Sequence, residues 1–281
     1  MYWRFPALFK AVLLTAGALN MLEAQPKLTV APLDPSLAPA LRAALPPDPS
    51  FRPSIENLLS PAVFAIFKPV LPYSMVVGNQ SSLSVIALVA YVEIVDAEGH
   101  SSSEMQATGN IPPSDKKDFL VAPGKDMLFT ADRQYGGEAI RVMREGITRP
   151  DARLEQLTQR PVARYASAAS ITFVLDSIVL ADGTFIGPDK PHAFGGLVSR
   201  IATEAKFARA VLAFQGHKPD ELLQYLATVA AELEPHHADG SVTQAQLARQ
   251  YLLVFRQKGP KPVFDLAAQD LDRATAFSLH R

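Results

Sequence analysis

The stretch Ser84–Val95 reads SVIALVAYVEIV, and its spacing decides the fold class. Val85, Ala87, Val89, Tyr91 and Glu93 fall on one side of an extended chain. Ile86, Leu88, Ala90, Val92 and Ile94 fall on the other, and that second set is apolar throughout. A strand imposes this period of two, because successive side chains leave a pleated backbone on opposite faces. Working outward, PYSMVVGN (72–79) gives a preceding strand. Asn79-Gln80-Ser81-Ser82 gives the turn between them, since Asn and Ser side chains hydrogen-bond their own backbone. Asp96-Ala97-Glu98-Gly99 closes the long strand with turn chemistry. Further on, Phe119-Leu120-Val121 and Met127-Leu128-Phe129 flank Ala122-Pro123-Gly124-Lys125-Asp126 as strand, turn and strand. SITFVLDSIVL (170–180) and Thr184–Gly187 surround Ala181-Asp182-Gly183, and Asp-Gly between β-rich runs signals a hairpin. Short strands joined by turns, with no helical period between them, favour a sandwich over alternating βα units.

Past Gly187-Pro188-Asp189 the period becomes 3.6. Phe194, Leu197, Val198, Ile201, Ala205, Ala208, Val211 and Leu212 recur at helical spacing, which predicts a helix over 192–214 that stops at Gly216. A second helix starts at Pro219 and is lined by Leu222, Leu223, Leu226, Val229 and Leu233. Thr243-Gln244-Ala245-Gln246 has the form of a capping box opening a third helix, which ends near Gly259. A fourth runs from Phe264 to Phe277. The chain therefore divides into residues 1–24, 25–53, 54–189 (the β-sandwich domain) and 190–281 (the helical region).

Residues 1–24 read as a signal peptide. Arg4 and Lys10 precede an uncharged stretch, Ala11–Leu22, that is too short to span a bilayer and long enough for a signal core. Cleavage after Ala24 would leave no stable membrane span and a secreted or periplasmic protein. Eight of residues 25–53 are proline and none is glycine. Proline fixes φ and removes an amide donor, so this stretch is expected as a linker, either a stiff spacer or an arm laid over the folded part.

The pattern PYSMVVGNQSSLSVIALVAYVEIVDAEG (72–99), then FLVAPG (119–124), then FVLDSIVLADGTFIGPD (173–189), resembles exported bacterial proteins that pair an immunoglobulin-like β-sandwich with a helical C-terminal region. The likeness implies an α+β fold, an antiparallel immunoglobulin-like β-sandwich followed by a C-terminal helical region. It rests on strand and turn pattern, and implies no established activity and no catalytic residues.

Composition excludes several function classes. With 27 basic and 28 acidic residues the net charge is −1, which lacks the excess of cations that a nucleic-acid partner demands. The absence of cysteine removes disulfides, Cys-ligated zinc and thiol nucleophiles. No G-x-S-x-G, H-E-x-x-H, phosphate-binding loop or G-x-G-x-x-G occurs. No cofactor and no metal site are assigned. His236, His237 and Asp239 carry metal-capable groups, with His217 as a further one, yet their stretch also reads as an interhelical loop. Asp176, Asp182 and Asp189 surround the hairpin as calcium-capable carboxylates, with Asp176 and Asp182 as a carboxylate pair for glycan chemistry; turn and cap roles explain Asp182 and Asp189 equally. Asn79-Gln80-Ser81 matches a glycosylation acceptor, but its turn role suffices. Residues 133–164 hold seven arginines and no lysine, among them Arg141, Arg144, Arg149 and Arg153. These are candidate interaction residues for an envelope or surface protein, against a plainer reading as local ion pairs. The resulting expectation is an exported non-enzymatic binding or structural module. The alternatives are a secreted hydrolase with an acidic or His-containing site and an accessory subunit of an envelope assembly.

Overall fold

A computed structural model describes residues 26–109, 119–231 and 244–281. Residues 1–24, and Leu233, His236, His237, Asp239 and Thr243, lie outside the described residues.

The chain opens with β1 (Lys27–Val30) and β2 (Leu41–Ala44), then α1 (Phe51–Leu58) and α2 (Pro61–Phe67). Four strands follow: β3 (Ser74–Asn79), β4 (Val85–Val95), β5 (Ser101–Gly109) and β6 (Asp126–Thr130). Next come α3 (Arg133–Glu145), α4 (Ala152–Leu157) and α5 (Ala163–Ala166), then the hairpin of β7 (Ser170–Leu180) and β8 (Phe185–Ile186). The tail is α6 (Ala193–Leu212), α7 (Pro219–Ala230), α8 (Gln244–Lys258) and α9 (Pro260–Ala276). The class is mixed α+β with two open sheets.

The larger sheet runs β1-β7-β4-β5, with β8 added to β7; the smaller runs β2-β3-β6. Their inner faces share one core. Leu88, Ala90 and Val92 of β4 and Phe173 of β7 meet Met75 and Val77 of β3 and Phe129 of β6, and the Phe129 and Phe173 rings lie edge to face at 6.0 Å. The alternation read at Ser84–Val95 thus seats Leu88, Ala90, Val92 and Ile94 inward, while a register shift between Val85 and Ala87 turns Ile86 to the outer face. Two features depart from a simple antiparallel sandwich. β1 pairs with β7 in parallel. Helices α1–α4 also cover the outer face of the smaller sheet, packing Phe51, Ile55, Phe67, Tyr135 and Leu154 on Val76 and Leu128.

Of the two readings of the proline-rich stretch, residues 26–53 follow the arm rather than the spacer: Leu28, Val30 and Leu33 pack against the shared core. The prolines stand at 26, 32, 35, 39, 46, 47, 49 and 53, leaving 27–31 and 40–45 free of them. β1 and β2 form in those two gaps, each at a sheet edge where one side of the strand needs no partner. Leu37 is fully buried and Leu41 nearly so.

Two further corrections concern strands. Phe119–Val121 supplies only one bridge, Val85 to Val121, rather than a strand. β5, whose sequence SSSEMQATG shows no apolar alternation, is an edge strand pairing β4 along Ala87–Val95. Asn79 is buried, and its amide donates to the carbonyls of Leu83 (2.8 Å) and Val121 (3.0 Å), which fixes it as a structural turn residue.

The helical tail packs on itself and on the sheet. Phe207, Leu226, Tyr251 and Val263 form the centre of its own core. Ile201 and Ala205 of α6 and Ala274 of α9 press on Ile86, Ala87, Val179 and Phe185, the outer face of the larger sheet. α9 starts four residues before the expected Phe264, because Pro260 and Pro262 fall in a first turn that leaves its amides unused. Among the described residues no helix is long and apolar enough to cross a membrane.

Candidate functional site

A cleft of about 550 Å³ opens between the outer face of the larger sheet and the first half of α6. Small residues make the space. On α6, Ala193, Gly196, Leu197 and Arg200 follow one another at helical spacing on a single face, and two of the four present little or no side chain. Across from them, Ala87 and Ala107 give the sheet a low relief. The second half of α6 carries Ile201 and Ala205 and closes onto the sheet. The helix therefore buries its second half against the sheet and packs its first half only partly, through Phe194 and Leu197. Met105 borders the cleft and is 41% exposed.

The floor has an irregular feature. β4 and β7 pair Val89 with Ser177 and Ala90 with Leu175, so Asp176 is an extra residue forming a bulge. Bulges re-aim side chains and recur beside functional sites. Asp176 is fully buried; its Oδ1 accepts from the Lys190 amide (3.1 Å) and its Oδ2 has no partner among the described residues. Ser177 Oγ is likewise buried without a partner, and Ser177 lines the cleft. A buried polar group left unpaired in this way costs about 1–3 kcal/mol. The hydroxyl of Tyr91 is pushed above its ordinary range, first by burial and then by the charges of Asp176 and Asp189.

The wall beside the bulge is tied at its hinge. Gly187 passes so close that a Cβ would lie 2.1 Å from the Asp176 carbonyl oxygen. Asp189 adopts φ 58° and is buried; its carboxylate accepts from the Phe194 amide (3.1 Å) at the start of α6 and pairs with Arg281. The Arg281 guanidinium lies over the rings of Phe185 (5.3 Å) and Phe194 (4.8 Å). Residues 278–281 strap this corner, with the His280 carbonyl accepting from the Phe185 amide at 2.7 Å.

Two cations reach the cleft. Arg133, at the start of α3, is exposed, and no ion pair holds it among the described residues. Its segment is fixed to β5 by Gln106, whose amide donates to the carbonyls of Thr130 (3.4 Å) and Ala131 (3.2 Å). Arg200 donates through Nε to the buried Glu204 at 2.9 Å, an i,i+4 pair that orients the guanidinium. No acidic side chain lines the cleft among the described residues.

The sequence-predicted groups fall elsewhere. Asp182 serves the hairpin turn, accepting from the Thr184 amide at 2.9 Å. It lies in the turn past the end of β7; the strand from Asp176 to Leu180 alone spans about 13 Å, whereas paired glycosidase carboxylates sit about 5–10 Å apart. Asp189 is a helix cap, as its plainer reading had it. Arg141 is a structural hub: its Nε meets Glu138 (2.6 Å), and its two Nη groups grip Asp151 (2.8 and 3.0 Å). Arg153 meets the other oxygen of Glu138 at 2.5 Å. Those hydrogen bonds raise the guanidinium of Arg141 above its ordinary range and hold Asp151 below the usual carboxylate range. Arg144 and Arg149 are exposed. His217 makes an i,i+4 contact with Glu221 at 2.9 Å.

Sequence reading also passed over one ligand-capable group, Asp96, Glu98 and His100, whose ligand atoms lie within 4.8 Å of one another. The Asp96 carboxylate accepts from the amides of Glu98 and His100, so a turn explains it. Ser177 and Arg200 had not been singled out. The signal for Ser177 is the polar pair Asp176-Ser177 interrupting the apolar run FVLDSIVL; Arg200, in a helix of mixed pattern, has none. Compared with protein-family models, with curated proteins and with solved structures, the chain finds no match.

Proposed function

We propose that the protein is an exported, non-enzymatic binding module whose ligand site is the cleft between the larger sheet and α6. The observation that carries this reading is the cleft itself: a concave, mainly apolar space in the size range of small-molecule sites, about 300–1,000 Å³, with a single buried hydroxyl awaiting a partner. Among the described residues Ser177 has no histidine or carboxylate hydrogen-bonded to it, so their arrangement lacks the base that would make the hydroxyl a nucleophile. Export rests on the signal-like residues 1–24. Within this proposal, the two-sheet half is a distant immunoglobulin-like sandwich; two mainly antiparallel sheets around one core support it.

The test is titration with a neutral environment-sensitive dye, N-phenyl-1-naphthylamine. Saturable one-to-one fluorescence enhancement is expected. Ala107→Trp, on an exposed edge-strand position facing the cleft, should weaken it about tenfold or more with an unchanged unfolding midpoint. Dye binding that is absent, or indifferent to Ala107→Trp, removes the reading. Mass spectrometry of the protein made in a bacterial host should find a mature N-terminus at Gln25.

A further inference from the structure

We infer that the cleft takes a free amphipathic carboxylate, its apolar part against the sheet and its anionic end met by Arg200, Arg133 and Ser177 Oγ. This inference rests on the binding reading above and adds the chemical class of the ligand. Three independent features point to it.

The first is the sign of the charge. Two guanidinium groups from different elements, α3 and α6, line the cleft, and no carboxylate does among the described residues: the fully buried Asp176 beside Ser177 is not a lining residue and accepts from the Lys190 amide. Charge complementarity in an apolar, partly desolvated space discriminates strongly by sign. The second is the disposition of Arg200. Glu204 holds its Nε, which leaves the two Nη groups without a hydrogen bond among the described residues. A planar guanidinium held by one edge presents its other donors to a carboxylate in the geometry that binds two oxygens together. The third is Ser177, whose buried Oγ has no partner among the described residues and can donate one hydrogen bond to an anionic oxygen. The apolar requirement follows from Ala87, Val89, Ala107, Val179 and Leu197, which give the rest of the ligand nothing to hydrogen-bond. A small hydrophilic anion would leave these walls unused, and a neutral hydrocarbon would leave the cations and the hydroxyl unused.

The experiment is competition against the bound dye with three ligands of equal chain length: decanoate, decanol and decylammonium. Decanoate should displace the dye at about tenfold lower concentration than decanol, with decylammonium weakest. Arg133→Gln, an exposed position where folding is undisturbed, should reduce the decanoate preference severalfold and leave decanol unchanged. Arg200→Gln should reduce it further. Arg200→Lys keeps the charge and controls for the loss of the Glu204 partner, so it should retain part of the preference. Ser177→Ala should lower decanoate affinity about fivefold. Equal competition by decanoate and decanol, a preference for decylammonium, or dye binding with no competition from any ligand overturns the carboxylate assignment while the cleft stands. Failure of the dye itself to bind overturns the cleft reading as well.

Discussion

Gly187 sits where β8 leaves the sheet beside the Asp176 bulge, with φ 125° and no room for a Cβ. A methyl there meets backbone rather than a flexible side chain, so nothing cheap can yield. Gly187→Ala should cost about 3 kcal/mol, combining the strain of that conformation with the collision. Gly124 offers the contrast. It occupies the Pro123-Gly124 turn at φ 67° with open space around it, so Gly124→Ala should cost about 1 kcal/mol. Denaturant midpoints of the two variants check the difference; equal losses would show that the close approach to Asp176 is not a constraint. At this scale the sequence was legible in part. Pro-Gly and Asp-Gly announced their turns through local chemistry. The bulge at Asp176 was not announced, because whether a polar residue in an apolar run is paired, orphaned or exposed depends on a strand lying about 90 positions away.

Elements divide along the same line. β4 and β7 were plain because each buries one face fully, and burial writes a period of two into the sequence. β5 was hidden because an exposed edge strand with a burial pattern mostly outward needs no such period. β1 and β2 were hidden by the prolines around them, which describe the connections rather than the strands. The arginine-rich segment folded into α3, α4 and α5, where Arg141, with a side chain only 12% exposed, links Glu138 to Asp151. Removing it leaves Glu138, equally secluded, with Arg153 alone. Arg141→Ala should therefore destabilise by about 2 kcal/mol, and the exposed Arg149→Ala should stay within about 0.5 kcal/mol. Thermal or denaturant unfolding of both variants checks this; similar small losses would make the α3–α4 junction independent of the hub.

At the scale of the whole molecule, the order of layers is helices α1–α4, smaller sheet, larger sheet, then α6 and α9. The change of period at Gly187-Pro188 predicted strands before helices. The docking of the tail could not be read, since an apolar helix stripe is satisfied equally by another helix or by a sheet. The strap of residues 278–281 is the most distant contribution to the cleft. Arg281→Ala should free Asp189 and the Phe185–Phe194 corner, speeding hydrogen exchange at the first α6 amides about tenfold while α7 and α8 stay protected. Unchanged exchange there would assign the corner's order to Asp189 capping alone.

The hydroxyls of Thr29 and Thr172 meet at 2.8 Å across 143 positions of chain. Contacts of such reach form late, because the intervening loop must first surrender its freedom. If the proposed export holds, a polypeptide whose first strand pairs with its seventh would stay a thread longer than one assembled from neighbours, and a thread is the form that a narrow translocation pore admits.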